Sequence, residues 1–237
     1  MCKPTPTPIA MGIKLRKEDS TKSVNPTLYK SIVESLMYLI ATHLDIMYVV
    51  SLIFRFMENP KATHLQAAKS ILRYIQGTAK YGIMYKRIEE FKLIEYTNGD
   101  WAGSFDDSKS TSGYVFHLGS GVISWASKKY PIIALSSAKV EYITMIGIAY
   151  QAIWMRRMLK DLGHKQQEAT KLLYDNKSTI TLSKNAIFHK RTKHIDTRYH
   201  YIRELINARE IIMKQCRTIE QFVDILIKLL GTRLFKQ

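Results

Sequence analysis

Three carboxylates of this 237-residue chain stand where an acid is costly. Asp175 follows the apolar run Leu172-Leu173-Tyr174 and precedes Asn176. Glu141 lies in the first turns of a long, otherwise apolar helical stretch, flanked by Val140 and Ile143. Asp224 stands between Val223 and Ile225. An acid in an apolar segment must be paired or must hold a cation. Acids that converge at one sheet edge could hold Mg²⁺, which takes oxygen ligands in an octahedral set. The plainer reading is helix capping or solvent exposure, the usual fate of a lone acid. The histidines offer less, because His189, His194 and His200 have no cysteine or acid at zinc-ligand spacing.

Such acids need elements that bring them together. Residues 1–26 are rich in proline, threonine and charge and predict a loose, extended leader. Asn25-Pro26 predicts a capped helix over 26–41, with proline in its first turn. A second helix is expected over 45–57. A third, opened by Asn59-Pro60, should run to about residue 76, with Leu65, Ala68, Ile71, Leu72 and Ile75 forming a core stripe. From Tyr81 the period changes. Strands are predicted over 81–86 and 91–97, then a hairpin of 111–118 and 122–127 around Gly119-Ser120-Gly121. There follow a long helix over 137–162, a strand over 171–174, helices over 177–184 and 194–208, a strand over 210–216 and a last helix over 220–230. This order predicts an α/β domain, a mixed sheet flanked by helices, behind a small mainly helical segment. The divisions fall at 1–26, 27–88 and 89–237, with the linker near 86–90. Trp125 and Trp154 are expected in the core.

Charge points to a partner. The chain carries 36 Lys and Arg against 20 Asp and Glu, a formal net charge of +16. An excess of that size favours a polyanion over a merely solvated basic surface, since each cation set on a phosphate releases counterions. The densest basic run is His189-Lys190-Arg191-Thr192-Lys193-His194. Lys128 and Lys129 close the hairpin, and Arg198 and Arg203 lie on the helix beyond. No basic helix with a continuous apolar face is present to favour a membrane surface. The apolar stretch over 37–54 is interrupted by His43 and Asp45, which argues against a membrane span. Cys2 and Cys216 are too far apart to imply a disulfide framework, so a reducing compartment is the default. The amino-terminal residues lack the apolar core of a signal peptide.

Several motifs then resemble one family. Thr97-Asn98-Gly99-Asp100-Trp101-Ala102-Gly103 resembles the Y-(T/S)-D-x-D-W-A-G of Ty1/copia-type retrotransposon Pol polyproteins. Lys109-Ser110-Thr111-Ser112-Gly113-Tyr114 is similar to their R-K-S-T-S-G-Y, and Ser124-Trp125-Ala126-Ser127-Lys128-Lys129 to their S-W-x-S-K-K. The stretch over 135–142 resembles L-S-S-x-E-A-E-Y. Tyr174-Asp175-Asn176 resembles C-D-N, Lys193-His194-Ile195-Asp196 matches K-H-I-D, and 221–228 resembles Q-x-A-D-I-x-T-K. Upstream, Leu28-Tyr29-Lys30-Ser31-Ile32-Val33 and 72–78 resemble the end of the family's reverse transcriptase. The resemblance spans nearly the whole chain, in order.

The resemblance implies a ribonuclease H fold and cleavage of the RNA strand of an RNA–DNA hybrid. Such enzymes use two Mg²⁺ ions about 4 Å apart, held by four acids. The four positions here are Asn98, Glu141, Asp175 and Asp224, so Glu141, Asp175 and Asp224 remain as metal ligands while the first acid is an asparagine. A neutral amide cannot balance two ions, so hydrolysis is expected to be lost or severely reduced. Alternation along the strand would put Asp100 on the same face as Asn98, although Gly99 leaves its direction open. Trp101, Ser110 and Thr111 are expected at the minor groove and the 2′-hydroxyls. Lys128, Lys129, His189, Lys190, Arg191, Lys193 and His194 are expected at phosphates. Lys139 replaces an acid that would complete a capping box with Ser136. The family's polymerase motif Y-V-D-D lies outside this sequence, so no DNA synthesis is expected. A nuclear or cytoplasmic place follows from the resemblance, and oligomeric state is left open. Two other readings stand beside the nuclease: a non-catalytic nucleic-acid-binding module, and a protein-interaction module built on the helical segment.

Overall fold

The structure is a computed structural model that describes residues 2–87, 90–100, 109–130, 137–175 and 193–232, without the side chains of 137–143 and 193–199. Five strands form one mixed sheet: β1 (Leu93–Asp100), β2 (Thr111–Leu118), β3 (Gly121–Lys129), β4 (Thr170–Tyr174) and β5 (Ile211–Gln215), in the order β3-β2-β1-β4-β5. β1, β2 and β3 are antiparallel, and β4 and β5 run parallel to β1. The parallel pairs require crossovers, and helices supply them. α4 (Ser137–Asp161) lies between β3 and β4, and α5 (Lys193–Asn207) precedes β5. The expected helix over 177–184 lies outside the described residues.

One face of the sheet is sealed by helices. Leu93, Phe116, Leu172 and Ile211 meet Met145, Ala149 and Ala152 of α4 and Ile202 of α5. Each of the larger buried side chains, the two alanines aside, contributes about 1.5–3 kcal/mol. The other face is covered by the carboxy-terminal segment, where Val223, Leu226 and Ile227 pack on Val115. The expected helix over 220–230 is instead a pair of short 3-10 turns, Thr218–Glu220 and Phe222–Leu226. Gln221 breaks them with φ −83° and ψ 88°, because its buried side chain donates to Thr97 O at 2.9 Å and ties the segment to β1. Close approach also needs Gly113, where a Cβ would lie 2.8 Å from Val223 and 3.0 Å from Ile227. We expect Gly113→Ala to lower stability by about 1–3 kcal/mol, read as a lower urea midpoint at unchanged slope.

The amino-terminal part has its own core. α1 (Pro26–Leu39) is capped by Asn25, whose Oδ1 accepts from the backbone N–H groups of Thr27 and Leu28. α2 (Met47–Phe54) follows a 3-10 turn, Leu44–Ile46, and α3 (Ala62–Thr78) closes the unit. α3 starts two residues later than Asn59-Pro60 predicts. Val24 N–H donates to Pro60 O and Ala62 N–H to Lys22 O, holding 60–62 extended, and His64 Nδ1 accepts from Lys61 N–H at 3.0 Å. The leader is irregular but not loose: Ile9 is buried among Tyr29, Val33 and Ala67, and Arg73 donates to Lys3 O. Leu72, expected in the stripe, is 41% exposed.

Two further differences have local causes. Residues 81–86 are not a strand, because Lys86 N–H donates to Ser120 Oγ and Lys86 C=O accepts from the same hydroxyl, and Tyr85 lies over Gly121 with its hydroxyl donating to Val122 O. Trp154 is 54% exposed, not core. Trp125 is half-buried and joins the two parts by donating to Ile40 O at 3.1 Å. Among the described residues no helix is long and apolar enough to cross a membrane.

Candidate active site

The carboxyl ends of two adjacent parallel strands, β1 and β4, meet the 3-10 turn at 222–226. This is where open sheets with parallel strands present ligand-binding residues. Asn98 lies on β1 with its side chain on the face opposite Glu95 and Thr97, as alternation requires. Asp175 is the first residue after β4. Asp224 is held over Asn98 by the packing of Val223 and Leu226 and by the Gln221 anchor.

The geometry joins all three. Asn98 Nδ2 donates to Asp175 Oδ2 at 3.1 Å and to Asp224 Oδ1 at 2.9 Å. The remaining Asp224 oxygen accepts from Lys228 Nζ at 2.7 Å. Asn98 Oδ1 accepts from Gly99 N–H at 2.8 Å. That last bond settles which way the amide points: turned over, it would face an N–H with its NH₂ and two carboxylates with its oxygen. Burial raises the Asp175 carboxyl above its ordinary range, and the nearby Asp224 charge adds to this. Burial likewise raises Asp100, with Lys228 opposing and Asp224 adding. The Cys216 thiol is pushed up to about 11, by burial first and then by Asp175.

The expected site residues fare differently. Asn98, Asp175 and Asp224 are brought together. Glu141 is on α4, but its side chain lies outside the described residues, as does that of Lys139 on the same helix. Asp100 lines one cavity with Lys228 but makes no bond to the cluster among the described residues. Ser110 and Thr111 are buried, contrary to a groove-facing role: Ser110 O accepts from Tyr130 N–H, and Thr111 opens β2 opposite Lys129. Lys128 is exposed at the end of β3 and Lys129 is half-buried. Trp101, His189, Lys190 and Arg191 lie outside the described residues. Lys193 and His194 begin α5 without described side chains. Gln221 and Lys228 stand in the sequence as the ends of the 221–228 motif, without a site role. Their signal was the spacing Gln221, Asp224, Lys228, an acid with an anchor three residues before and a cation four residues after.

The described donors, Asn98, Asp175 and Asp224, do not by themselves fit a pair of metal ions. Among the described residues no three His, Cys, Asp or Glu side chains are grouped to hold a cation. The amide between Asp175 and Asp224 turns N–H groups toward the position a cation would need, and Asp224 is already paired with an ammonium.

No family model matches the chain. The chain is 38% identical over 99% of its length to the retrovirus-related Pol polyprotein from transposon RE1 of Arabidopsis thaliana, of which it spans 16%. It is equally similar, 38% over 99%, to the corresponding polyprotein from transposon TNT 1-94 of Nicotiana tabacum, of which it spans 18%. Among solved structures, the foamy viral protease–reverse transcriptase in complex with double-stranded DNA matches 85% of this chain and 40% of its own, with TM-score 0.52 and 14% identity. That likeness concerns the fold. The β3-β2-β1-β4-β5 sheet with α4 and α5 on one face is a ribonuclease H-like architecture. With these relatives and this fold, the chain belongs to the copia-type retrotransposon Pol polyproteins, of whose length it spans about a sixth.

Proposed function

We propose that this chain is a ribonuclease H-like domain that binds RNA–DNA hybrids, with hydrolysis crippled at Asn98, preceded by the helical end of a reverse transcriptase. The observation that carries this reading is the Asn98 amide, whose hydrogens are given to Asp175 and Asp224. The catalytic set would be Asn98, Glu141, Asp175 and Asp224. Any Mg²⁺ would fall to Glu141, Asp175 and Asp224, at a site weakened by loss of the first acid. The hybrid would lie against Lys128, Lys129, Trp101 and the basic run of His189, Lys190, Arg191, Lys193 and His194. The net charge of +16 supports a polyanion partner. The division between 27–88 and 89–237 is supported by the distinct main cores of the helical part and the sheet, while the leader joins the helical core through Ile9. Retroelement relatives support a nuclear or cytoplasmic place.

The binding half is tested with a labelled RNA–DNA hybrid followed by anisotropy. The affinity should fall by more than tenfold between about 50 and about 200 mM salt. It should weaken further in Lys128→Ala. Binding that is indifferent to salt would favour a protein-interaction module instead.

A further inference from the structure

We propose that the carboxylate cluster of this chain is a metal-independent structural clasp, in which hydrogen bonds from the Asn98 amide and the charge of the Lys228 ammonium hold the acids that a bound cation would otherwise hold. The clasp extends the functional reading to the folding of the domain, and it does not depend on nucleic acid being bound.

The three residues it joins are distant in sequence, Asn98 and Asp175 by 77 positions and Asn98 and Asp224 by 126. They tie together β1, the end of β4 and the 3-10 turn at 222–226. Two half-buried carboxylates at one point repel each other unless donors or cations lie between them. The amide has two hydrogens and gives one to each acid. Asp224 then has Asn98 on one oxygen and Lys228 on the other. Its side chain is only 13% exposed, so both bonds are largely shielded from water. Asp100 lines the same cavity as Lys228 without being paired to it, which leaves the ammonium to Asp224. The Gly99 N–H keeps the amide from turning its oxygen inward. An aspartate at position 98 would undo all of this: three carboxylates would face one another and the cluster would need a cation to hold.

The test is thermal unfolding of the full chain in EDTA and in millimolar Mg²⁺, for the unaltered protein, Asn98→Asp and Asn98→Ala. The unaltered protein should unfold at the same temperature in both. Asn98→Asp should fall by about 5 °C or more in EDTA and recover most of the loss in Mg²⁺. If it does not fold at all in EDTA, folding on addition of Mg²⁺ is the expected equivalent. Asn98→Ala removes both amide bonds without adding a third carboxylate, so it should fall in EDTA and recover less in Mg²⁺ than Asn98→Asp does. An unaltered protein stabilised by Mg²⁺ would overturn the clasp. So would an Asn98→Asp protein as stable in EDTA as the unaltered one, or an Asn98→Ala protein that loses nothing. The readout is unfolding and not cleavage, so a failed nuclease reading and a failed clasp are told apart.

Discussion

Glu95→Met should make this protein more stable at neutral pH by about 3 kcal/mol, the largest gain expected from any single substitution here. Glu95 is fully buried on the helix-covered face of β1, opposite Phe116 on one side and Leu172 on the other. Neither of its oxygens has a hydrogen-bond partner among the described residues, and the buried Tyr174 hydroxyl has none either. Burial therefore raises the Glu95 carboxyl well above its ordinary range, so that it folds by taking up a proton. The direction of the pH dependence follows. A carboxyl whose pKa is higher in the folded than in the unfolded state adds no pH-dependent cost below the unfolded value of about 4.3. Above that value, stability falls by about 1.4 kcal/mol per pH unit until the folded-state pKa is passed. Urea midpoints measured from about pH 5 to about pH 8 should decline for the unaltered protein, and this part of the slope should vanish in Glu95→Met. Glu95→Gln should also lose the slope, but gain less, since an unbonded amide would still be buried. A stability that rises with pH through this window would contradict the assignment.

The same residue shows how much of the fold was legible from sequence. Period-two alternation marks Leu93, Glu95 and Thr97 as one inward face, but an acid there reads as a sign that the strand faces water, so Glu95 drew no notice. The hairpin at Gly119 and the cap at Asn25 were readable because turn and cap chemistry is local. The start of α3 was not, because it is set by Lys22 pairing with Ala62 and Val24 with Pro60, 40 and 36 positions away. The acids Asp175 and Asp224 could be picked out by type and apolar surroundings. That Asn98 would give its hydrogens to both depended on the register of β1 against β4 and on how the last segment lies over Gly113. The apolar periodicity of 220–230 suits a helix, and only the Gln221 anchor to Thr97 makes it two 3-10 turns.

The second large effect is expected at Asn98. Restoring Asp there replaces two donated hydrogens with a negative charge between Asp175 and Asp224, which is the change a divalent cation requires. Cations that balance the charge developing on a scissile phosphate are worth several kcal/mol. Mg²⁺-dependent hydrolysis should therefore rise by about a hundredfold or more, ~2.7 kcal/mol in barrier. Lys228 would remain on Asp224 as a competitor for the ion. Gain of activity should thus be larger at high Mg²⁺, and larger still when Asn98→Asp is combined with Lys228→Met.

The most direct measurement is cleavage of a labelled RNA–DNA hybrid in Mg²⁺ by the unaltered protein, by Asn98→Asp, and by Asn98→Asp combined with Asp175→Asn. The expected result is cutting by Asn98→Asp alone, with the RNA strand lost and the DNA strand intact. Efficient cutting by the unaltered protein would contradict the account, because it would mean that the amide does not disable the site.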